Sequence, residues 1–178
     1  GGTLDNLLMR FTDLMLTLPI LAVLLTASVY FGAGDPFKTG LILAFLLWTA
    51  IARIVRGLFL SLREKEFVEA AKASGAGNSR IILRHILPNC VGPIVVFMTL
   101  IVAVAILLEA ALSFLGFGIQ PPNAALGSLI DDGQEQGLET WWLVTFPGLV
   151  IVLIALSINF IGDGLRDALD PTQRRIRA

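Results

Sequence analysis

Four long apolar stretches constrain the fold of this chain more than any other feature. They lie near 14–31, 39–54, 93–115 and 142–161. An α-helix needs about 20 apolar residues to cross the roughly 30 Å of hydrocarbon in a bilayer, and each stretch approaches or exceeds that length. The chain is 56% hydrophobic and 15% charged, which is more apolar surface than a soluble core could hide. The sequence therefore predicts an all-α, polytopic transmembrane helical bundle.

Glycine, proline and arginine mark where these spans break or end. Residues 32–36 read Gly-Ala-Gly-Asp-Pro, which predicts a tight turn between the first two spans, because glycine and proline resist helical continuation. The second span ends near Arg53 and Arg56, whose long side chains can reach the membrane interface while the helix continues. Pro19 and Pro147 lie inside the first and fourth spans, where each predicts a kink.

Charge in the two long connections predicts the orientation of the bundle. The connection 57–89 carries five cations, Arg63, Lys65, Lys72, Arg80 and Arg84. The connection 116–141 has no lysine or arginine and carries Asp131, Asp132, Glu135 and Glu139. The positive-inside rule places 57–89 in the cytoplasm and 116–141 outside. Lys38 is then the only external cation of 13, and both chain ends are cytoplasmic, together with Arg10, Arg166, Arg174, Arg175 and Arg177.

The cytoplasmic connection predicts a bent element, residues 66–88, which we call the knuckle. Residues 66–74 are good helix formers, and one face is predicted to carry Phe67, Ala70, Ala71 and Ser74. The glycines of 75–77 then break the helix, and a second helix is predicted to begin at Asn78 or Ser79 and to stop at Pro88. Such an element offers apolar and charged groups on the membrane face and is suited to docking a partner.

Six residues of the knuckle carry a resemblance to a known family: Glu69, Ala70, Ala71, Gly75, Leu87 and Pro88. They resemble the EAA loop of ABC importer permeases, which contains a coupling helix that fits a cleft on the ATPase subunit. The resemblance implies that these six residues couple the chain to an ATPase. The sequence departs from the family pattern at His85, where isoleucine is usual.

Two downstream patches extend the resemblance over nearly the whole chain. Residues 109–118 with Gln120-Pro121-Pro122, and residues 162–171, are similar to the dipeptide, oligopeptide and nickel permease branch. The resemblance implies a type I ABC importer-like permease fold. Complete members of this branch have further helices before this point, so it also implies that an N-terminal portion is missing.

The function implied by this resemblance is that of a permease subunit in an ATP-driven, binding-protein-dependent peptide importer of a prokaryotic inner membrane. The implied partners are a second homologous permease, two ABC ATPase subunits, an external substrate-binding protein and membrane lipid, without nucleic acid. Nickel-chelate or glutathione import within the same branch is an alternative. An autonomous channel or secondary transporter, whose connection 57–89 is only a connector, is an alternative from another class.

Few residues of the chain could carry chemistry. Cys90 is the only cysteine, so neither an internal disulfide nor a paired-cysteine metal site can form. His85 is the only histidine, which excludes a histidine cluster for a metal. Residues 75–80 lack the Lys-Ser/Thr of a nucleotide-binding phosphate loop, and no strand precedes them. Without a nucleophile, acid and base at catalytic spacing, the sequence predicts a transport subunit with no catalytic residue, metal or cofactor.

Glu109 is the carboxylate placed deepest in a predicted span. It follows Pro93 by about 16 residues, or about 24 Å at 1.5 Å per residue, which puts it toward the outer end of the third span. Charged groups within membranes usually face an interior or water, so one hypothesis is a residue on the translocation path or outer gate. The other hypothesis is a carboxylate near the interface that neighbouring hydroxyls and helix ends hold in place.

Overall fold

The structure, a computed structural model, describes residues 2–32 and 34–169. This part of the chain folds into eight α-helices, which are α1 (Thr3–Thr17), α2 (Ile20–Phe31), α3 (Pro36–Arg63), α4 (Glu66–Ala73), α5 (Asn78–Ile81), α6 (Leu87–Phe114), α7 (Leu126–Glu135) and α8 (Trp141–Leu169). A π-helical segment (Ile82–Ile86) joins α5 to α6, and a short 3-10 turn (Leu138–Thr140) precedes α8. Within these ranges there is no β-strand, and the all-α prediction is confirmed.

Some residues used in the sequence predictions lie outside the described ranges. They are Ala33 of the predicted turn, Asp170 and Pro171 of the last family-like patch, and the tail arginines Arg174, Arg175 and Arg177.

Among the described residues, three helices are long and apolar enough to cross a membrane: α3, the continuous run Asn78–Phe114, and α8. The pair α1 and α2 passes the same test, but the two helices are bent by 90° against each other. The first span is therefore not one continuous helix over 14–31. Leu18, which precedes Pro19, takes an extended conformation (φ −78°, ψ 137°), because the proline ring disfavours helical geometry in the residue before it. The kink predicted at Pro19 is thus a complete break.

The second span is longer than predicted and runs to Arg63. It begins at Pro36, where the Asp35 carboxylate accepts a hydrogen bond of 2.8 Å from the Phe37 amide, a typical helix cap. The helix continues past Arg53 and Arg56, as the sequence analysis expected. Both arginines form ion pairs with carboxylates of α1, as described below.

The helix that carries the third span continues without a break at Pro88 and at Pro93. The stop predicted at Pro88 is wrong, since the run Asn78–Phe114 is helical throughout. A proline inside a regular α-helix clashes with the carbonyl four residues earlier. A π-helical turn, Ile82–Ile86, lies directly before Pro88, whereas Pro93 lies within the regular α-helical part of the run.

The bundle is held together by close approaches of small residues and by one apolar cluster. Helix α6 packs most extensively on α8, α7 lies against both, and α3 packs on the other side of α6. At Gly162 of α8 an added Cβ would overlap the Thr99 hydroxyl of α6, so only glycine allows this approach. A buried cluster joins α2, α3 and α6 through Leu24, Leu43, Leu46 and Leu112. The apolar windows of the three spans are only 6–11% buried within the chain, which leaves their faces for lipid or for partner helices.

Hydrogen bonds at Gly34 show which connections share one end of the bundle. The Gly34 amide donates to the Gly118 carbonyl at 3.0 Å. The Gly34 carbonyl accepts from the Gln120 amide at 3.4 Å and from Asn123 Nδ2 at 3.2 Å. The α2–α3 turn therefore lies beside the segment between α6 and α7, at what we call the α7 end. The knuckle lies at the opposite end of α3 and α6, the α4 end.

Candidate functional site

The knuckle is built around a glycine turn that closes α4. The Ala76 amide donates to the Ala71 carbonyl at 3.0 Å, and the Gly75 amide donates to the Lys72 carbonyl at 2.9 Å. These two bonds form a Schellman motif, in which the residue after the helix cap takes a left-handed conformation. Gly75 has φ +77°, as the motif requires. An added Cβ at Gly75 would meet no atom within 4 Å, so the backbone conformation and not a lack of space at Cβ demands glycine here.

One face of the knuckle is fixed to the bundle by an apolar cluster. Its buried members are Val68 of α4 (0% exposed), Ile81 of α5 (4%), Ile86 of the π-helical segment (1%) and Cys90 of α6 (2%). Six partly buried residues pack around them, namely Leu58, Phe59, Leu62, Ala71, Ala76 and Ile94. The last turns of α3 and the first turns of α6 therefore hold α4 from the same side.

The predicted apolar face of α4 is wrong, because the packed face is rotated by about one residue. Val68 and Ala71 point into the cluster, whereas Phe67 remains 40% exposed. Ala70 and Ser74 are also exposed, and the Ser74 hydroxyl donates back to the Ala70 carbonyl at 2.9 Å. Phe67 and Ala70 are thus left on the surface together with Glu69.

The six family-like residues of the knuckle divide into three groups. Glu69 and Ala70 are exposed on the outer side of α4, and the Glu69 carboxylate has no hydrogen-bond or ion-pair partner in the described part of the chain. Ala71 and Gly75 shape the turn and its packing. Leu87 and Pro88 are exposed on the first turn of α6, outside the Val68 cluster. Pro88 lines a groove of about 640 Å³ between α3, α6 and α8, whose far side includes Arg166 and Leu169.

Glu109 lies near the α7 end of α6 in a short hydrogen-bond chain. The Ser113 hydroxyl donates to Glu109 Oε1 at 2.6 Å and accepts from the Ile119 amide at 3.0 Å. Ser113 is 1% exposed and Glu109 is half-buried. This geometry favours the second hypothesis for Glu109, a carboxylate held by a neighbouring hydroxyl. The same serine also holds the backbone that leads to the Gly34 hydrogen bonds.

We expect Ser113→Ala to destabilise the α7 end of the bundle. The substitution removes the donor to Glu109 and the acceptor for the Ile119 amide, and an unsatisfied buried polar group costs about 1–3 kcal/mol. Thermal unfolding of the purified permease in detergent measures this loss. Ser157→Ala is the matched control, because the exposed Ser157 hydroxyl bonds only to the Leu153 carbonyl of its own helix. Equal stability of the two variants would contradict the anchoring role of Ser113.

The acidic connection 116–141 contains a helix that the sequence analysis did not predict. Helix α7 packs against α6 and α8, and Gly127 lies so close to the Ala110 carbonyl that a Cβ would overlap it. Asp132 and Glu135 are exposed on α7. Trp141 and Trp142 follow at the start of α8, with ring centroids 6.1 Å apart and exposed fractions of 57% and 46%. The α7 end thus presents carboxylates beside exposed indole rings.

The structure assembles no site for metal chemistry in the residues it describes. Within 2–32 and 34–169, no group of three or more His, Cys, Asp or Glu could hold a metal ion. His85 is half-buried, and its backbone carbonyl accepts a 2.6 Å hydrogen bond from Asn89 Nδ2. The Cys90 thiol is buried in the knuckle cluster.

Comparison with known proteins gives the family. Residues 1–175 match the family of binding-protein-dependent transport system inner membrane components. The chain belongs to this family. It is accordingly a membrane component of a transport system, and the polytopic bundle with the type I ABC importer permease fold is confirmed.

Similar members of the family have names that refer to peptides. The chain is 47% identical over 168 residues to a putative peptide transport system permease protein of Brucella suis biovar 1 (strain 1330), and the match covers 94% of this chain and 56% of that relative. It is 45% identical over 179 residues to the oligopeptide transport system permease protein OppC of Mycobacterium tuberculosis (strain ATCC 25618 / H37Rv), covering 99% and 61%. It is 46% identical over 173 residues to a putative peptide permease protein of Brucella ovis (strain ATCC 25840 / 63/290 / NCTC 10512), covering 96% and 57%. The chain therefore spans 56–61% of the length of these relatives.

Proposed function

We propose that this chain is part of a permease subunit of an ATP-driven, binding-protein-dependent peptide importer. The observation that carries the proposal is the two-sided knuckle. Its inner face is locked to α3 and α6 through Val68, while its outer face leaves Glu69 and Ala70 exposed. An element fixed on one side and open on the other is suited to receive a push from a partner and to pass it to the helices.

The partner in this proposal is an ABC ATPase that docks on α4. Closure of two ATPase subunits around ATP displaces Glu69 and Ala70, and the apolar cluster moves the adjoining ends of α3 and α6 with them. Packed apolar groups transmit such a displacement as a rigid-body shift, because close-packed interiors deform little. Helix α6 continues to Glu109 and Ser113, so the shift reaches the α7 end, where the translocation path opens or closes.

The orientation follows from the same assignment. The α4 end faces the cytoplasm of a prokaryote, together with both ends of the chain, and the α7 end faces outward, as the positive-inside rule requires. A second homologous permease covers part of the exposed apolar faces of the spans and completes the pathway. The carboxylates of α7 and the neighbouring indole rings form the contact for an external substrate-binding protein.

Peptides are the substrate class that the names of the similar proteins support. Those of Brucella and Mycobacterium are named as peptide or oligopeptide permeases. Nickel chelates and glutathione are the alternative substrates within the same branch. The external binding protein discriminates among the three classes, so its affinity for each class in isolation separates these possibilities.

Reconstitution in liposomes tests the energy source. We expect the full-length permease pair, with its ATPases and binding protein, to take up labelled peptide only when hydrolysable ATP is present on the α4 side. A non-hydrolysable ATP analogue serves as the matched control and is expected to give no uptake. Uptake by the permease pair alone, driven by an ion gradient, would contradict the proposal and favour a secondary transporter.

A further inference from the structure

Two ion pairs join α1 to the half of α3 that leads to the knuckle. Arg56 Nε donates to Asp5 Oδ1 at 2.9 Å and Arg56 Nη2 donates to Asp5 Oδ2 at 3.0 Å, so the contact has two points. Arg53 Nη2 donates to Asp13 Oδ1 at 2.6 Å. Charged residues on a membrane-spanning helix are rare and usually paired, and these two arginines follow that rule.

Apolar contacts place the same face of α1 against α3. The rings of Phe11 and Trp48 are stacked, with centroids 6.4 Å apart and planes inclined by 22°. Thr12 is 0% exposed and its hydroxyl donates to the Leu8 carbonyl at 2.9 Å. The Phe11–Trp48 stack therefore adds an apolar contact to the two ion pairs between α1 and α3.

The two ion pairs differ in geometry and in exposure. The side chains of Arg56 and Asp5 are 37% and 21% exposed, whereas those of Arg53 and Asp13 are 56% and 57% exposed. Exposed ion pairs contribute little, because water and salt screen them. A two-point arginine–carboxylate contact also fixes the relative orientation of its partners. Asp5 and Arg56 are thus the pair that determines how α1 lies on α3.

Phe59 connects this ion pair to the knuckle. It lies one helical turn beyond Arg56 and lines the same groove of about 500 Å³ as Arg56 and Asp5. Phe59 also packs, with Leu62, against the buried cluster around Val68. The same stretch of α3 therefore meets α1 at Arg56 and the knuckle cluster at Phe59.

We propose that the Asp5–Arg56 pair makes α1 a part of the coupling unit, so that α1 moves with the knuckle when the ATPases close. Asp5 and Arg56 are positioning residues in this inference, since they act through α3 and do not contact the ATPase. The inference rests on the proposed coupling function of the knuckle. It extends that function to α1, which ends 49 positions before α4 begins and whose role the family-like motifs do not indicate.

Charge exchange in the complete transporter tests the pair. The ratio of peptide transported to ATP hydrolysed is measured in liposomes for assembled complexes carrying Asp5→Arg, Arg56→Asp or both substitutions. Each single substitution is expected to lower the ratio roughly fivefold or more, the lower end of typical coupling between sites. The double substitution restores opposite charges and is expected to return the ratio towards that of the unaltered protein. A purely structural role would change the amount of complex and not this ratio.

Two controls accompany the exchange. Arg53→Asp alters the more exposed pair on the same helix and is expected to change the ratio little. Arg10→Glu reverses an exposed cation of α1 that has no ion-pair partner among the residues described, and it is also expected to have little effect. A drop in the ratio for these variants as large as that for Arg56→Asp would overturn the specific role of Asp5 and Arg56.

A distance measurement covers the case in which the single variants fail to assemble. Spin labels are placed at Arg10→Cys and Lys72→Cys in the otherwise unaltered transporter, and a sample that carries only the native Cys90, which is 2% exposed, serves as the labelling control. The distance between the labels is expected to be the same without nucleotide and with ATP trapped, because α1 and α4 move together. A distance that changes between the two states would overturn the inference.

Glu69→Lys separates failure of this inference from failure of the proposed function. If Glu69→Lys abolishes uptake while the Asp5 and Arg56 variants retain the normal ratio, only the role of α1 is wrong. If Glu69→Lys leaves uptake unchanged as well, the coupling function of the knuckle is itself wrong.

Discussion

Glu69→Lys is expected to abolish ATP-driven peptide uptake while the permease still inserts into the membrane. Glu69 has no partner among the described residues, so its substitution removes no contact within this part of the chain. Any loss of uptake beyond that caused by a weaker helix must then arise at a docked partner, where lysine replaces an anion by a cation. Uptake into cells measures transport, co-purification of the ATPase measures docking, and the amount of permease in the membrane measures insertion.

Glu66→Lys is the matched control for Glu69→Lys. Both glutamates lie in the first turn of α4, so each substitution places a cation near the positive end of the helix dipole and weakens the helix to a similar extent. Because the family resemblance includes Glu69 and not Glu66, we expect Glu66→Lys to retain most of the uptake. Equal loss of uptake in both variants would assign the effect to helix stability and contradict a specific docking role for Glu69.

That this chain spans a membrane could be predicted from the sequence, because it depends on the length of each apolar stretch. The thickness of a bilayer sets the number of apolar residues in a span, whatever the helix packs against. The ends of the spans could not be predicted in the same way. Arg53 and Arg56 are neutralised by Asp13 and Asp5, which lie 40 and 51 residues earlier in the chain. No local pattern reveals such a pairing.

The prolines show a second limit of local sequence patterns. Pro19 ends one helix and starts another at an angle of 90°, whereas Pro88 lies within a continuous helix. A π-helical turn precedes Pro88, and Ile81 and Ile86 are buried in the knuckle cluster, whereas no such turn precedes Pro19. Proline alone therefore does not determine whether a helix breaks or continues.

For the knuckle, the sequence predicted the turn at Gly75 but not the face of α4 that packs against the bundle. Gly75 follows a helical pattern and is the usual residue at a Schellman turn, which is a local signal. Phe67 and Val68 are adjacent apolar residues, and either one can begin a helical stripe. Val68 is buried because Leu62 of α3 and Ile81 of α5 pack in the same cluster. The sequence of α4 alone cannot predict these partners. Phe67 remains on the surface with Glu69 and Ala70.

Gly75→Trp is expected to abolish uptake, and Gly75→Asn is expected to retain much of it. A left-handed conformation costs a residue with a side chain roughly 1–2 kcal/mol, and asparagine tolerates it better than most. Because an added Cβ at this position meets no atom within 4 Å, we expect Gly75→Asn to leave the knuckle intact. Tryptophan combines the backbone strain with a large group beside Glu69 and Ala70, which blocks the docking of a partner.

Gly77 provides the matched control for the backbone argument. It lies two residues beyond Gly75, is equally open to solvent, and has φ −69°, which any residue can adopt. Gly77→Ala is therefore expected to preserve uptake, whereas Gly75→Ala lowers it, and uptake relative to the amount of permease in the membrane compares the two. Equal effects of alanine at both positions would show that the left-handed turn is dispensable. The knuckle would then be a flexible connector, which cannot transmit a rigid-body shift from an ATPase to α3 and α6.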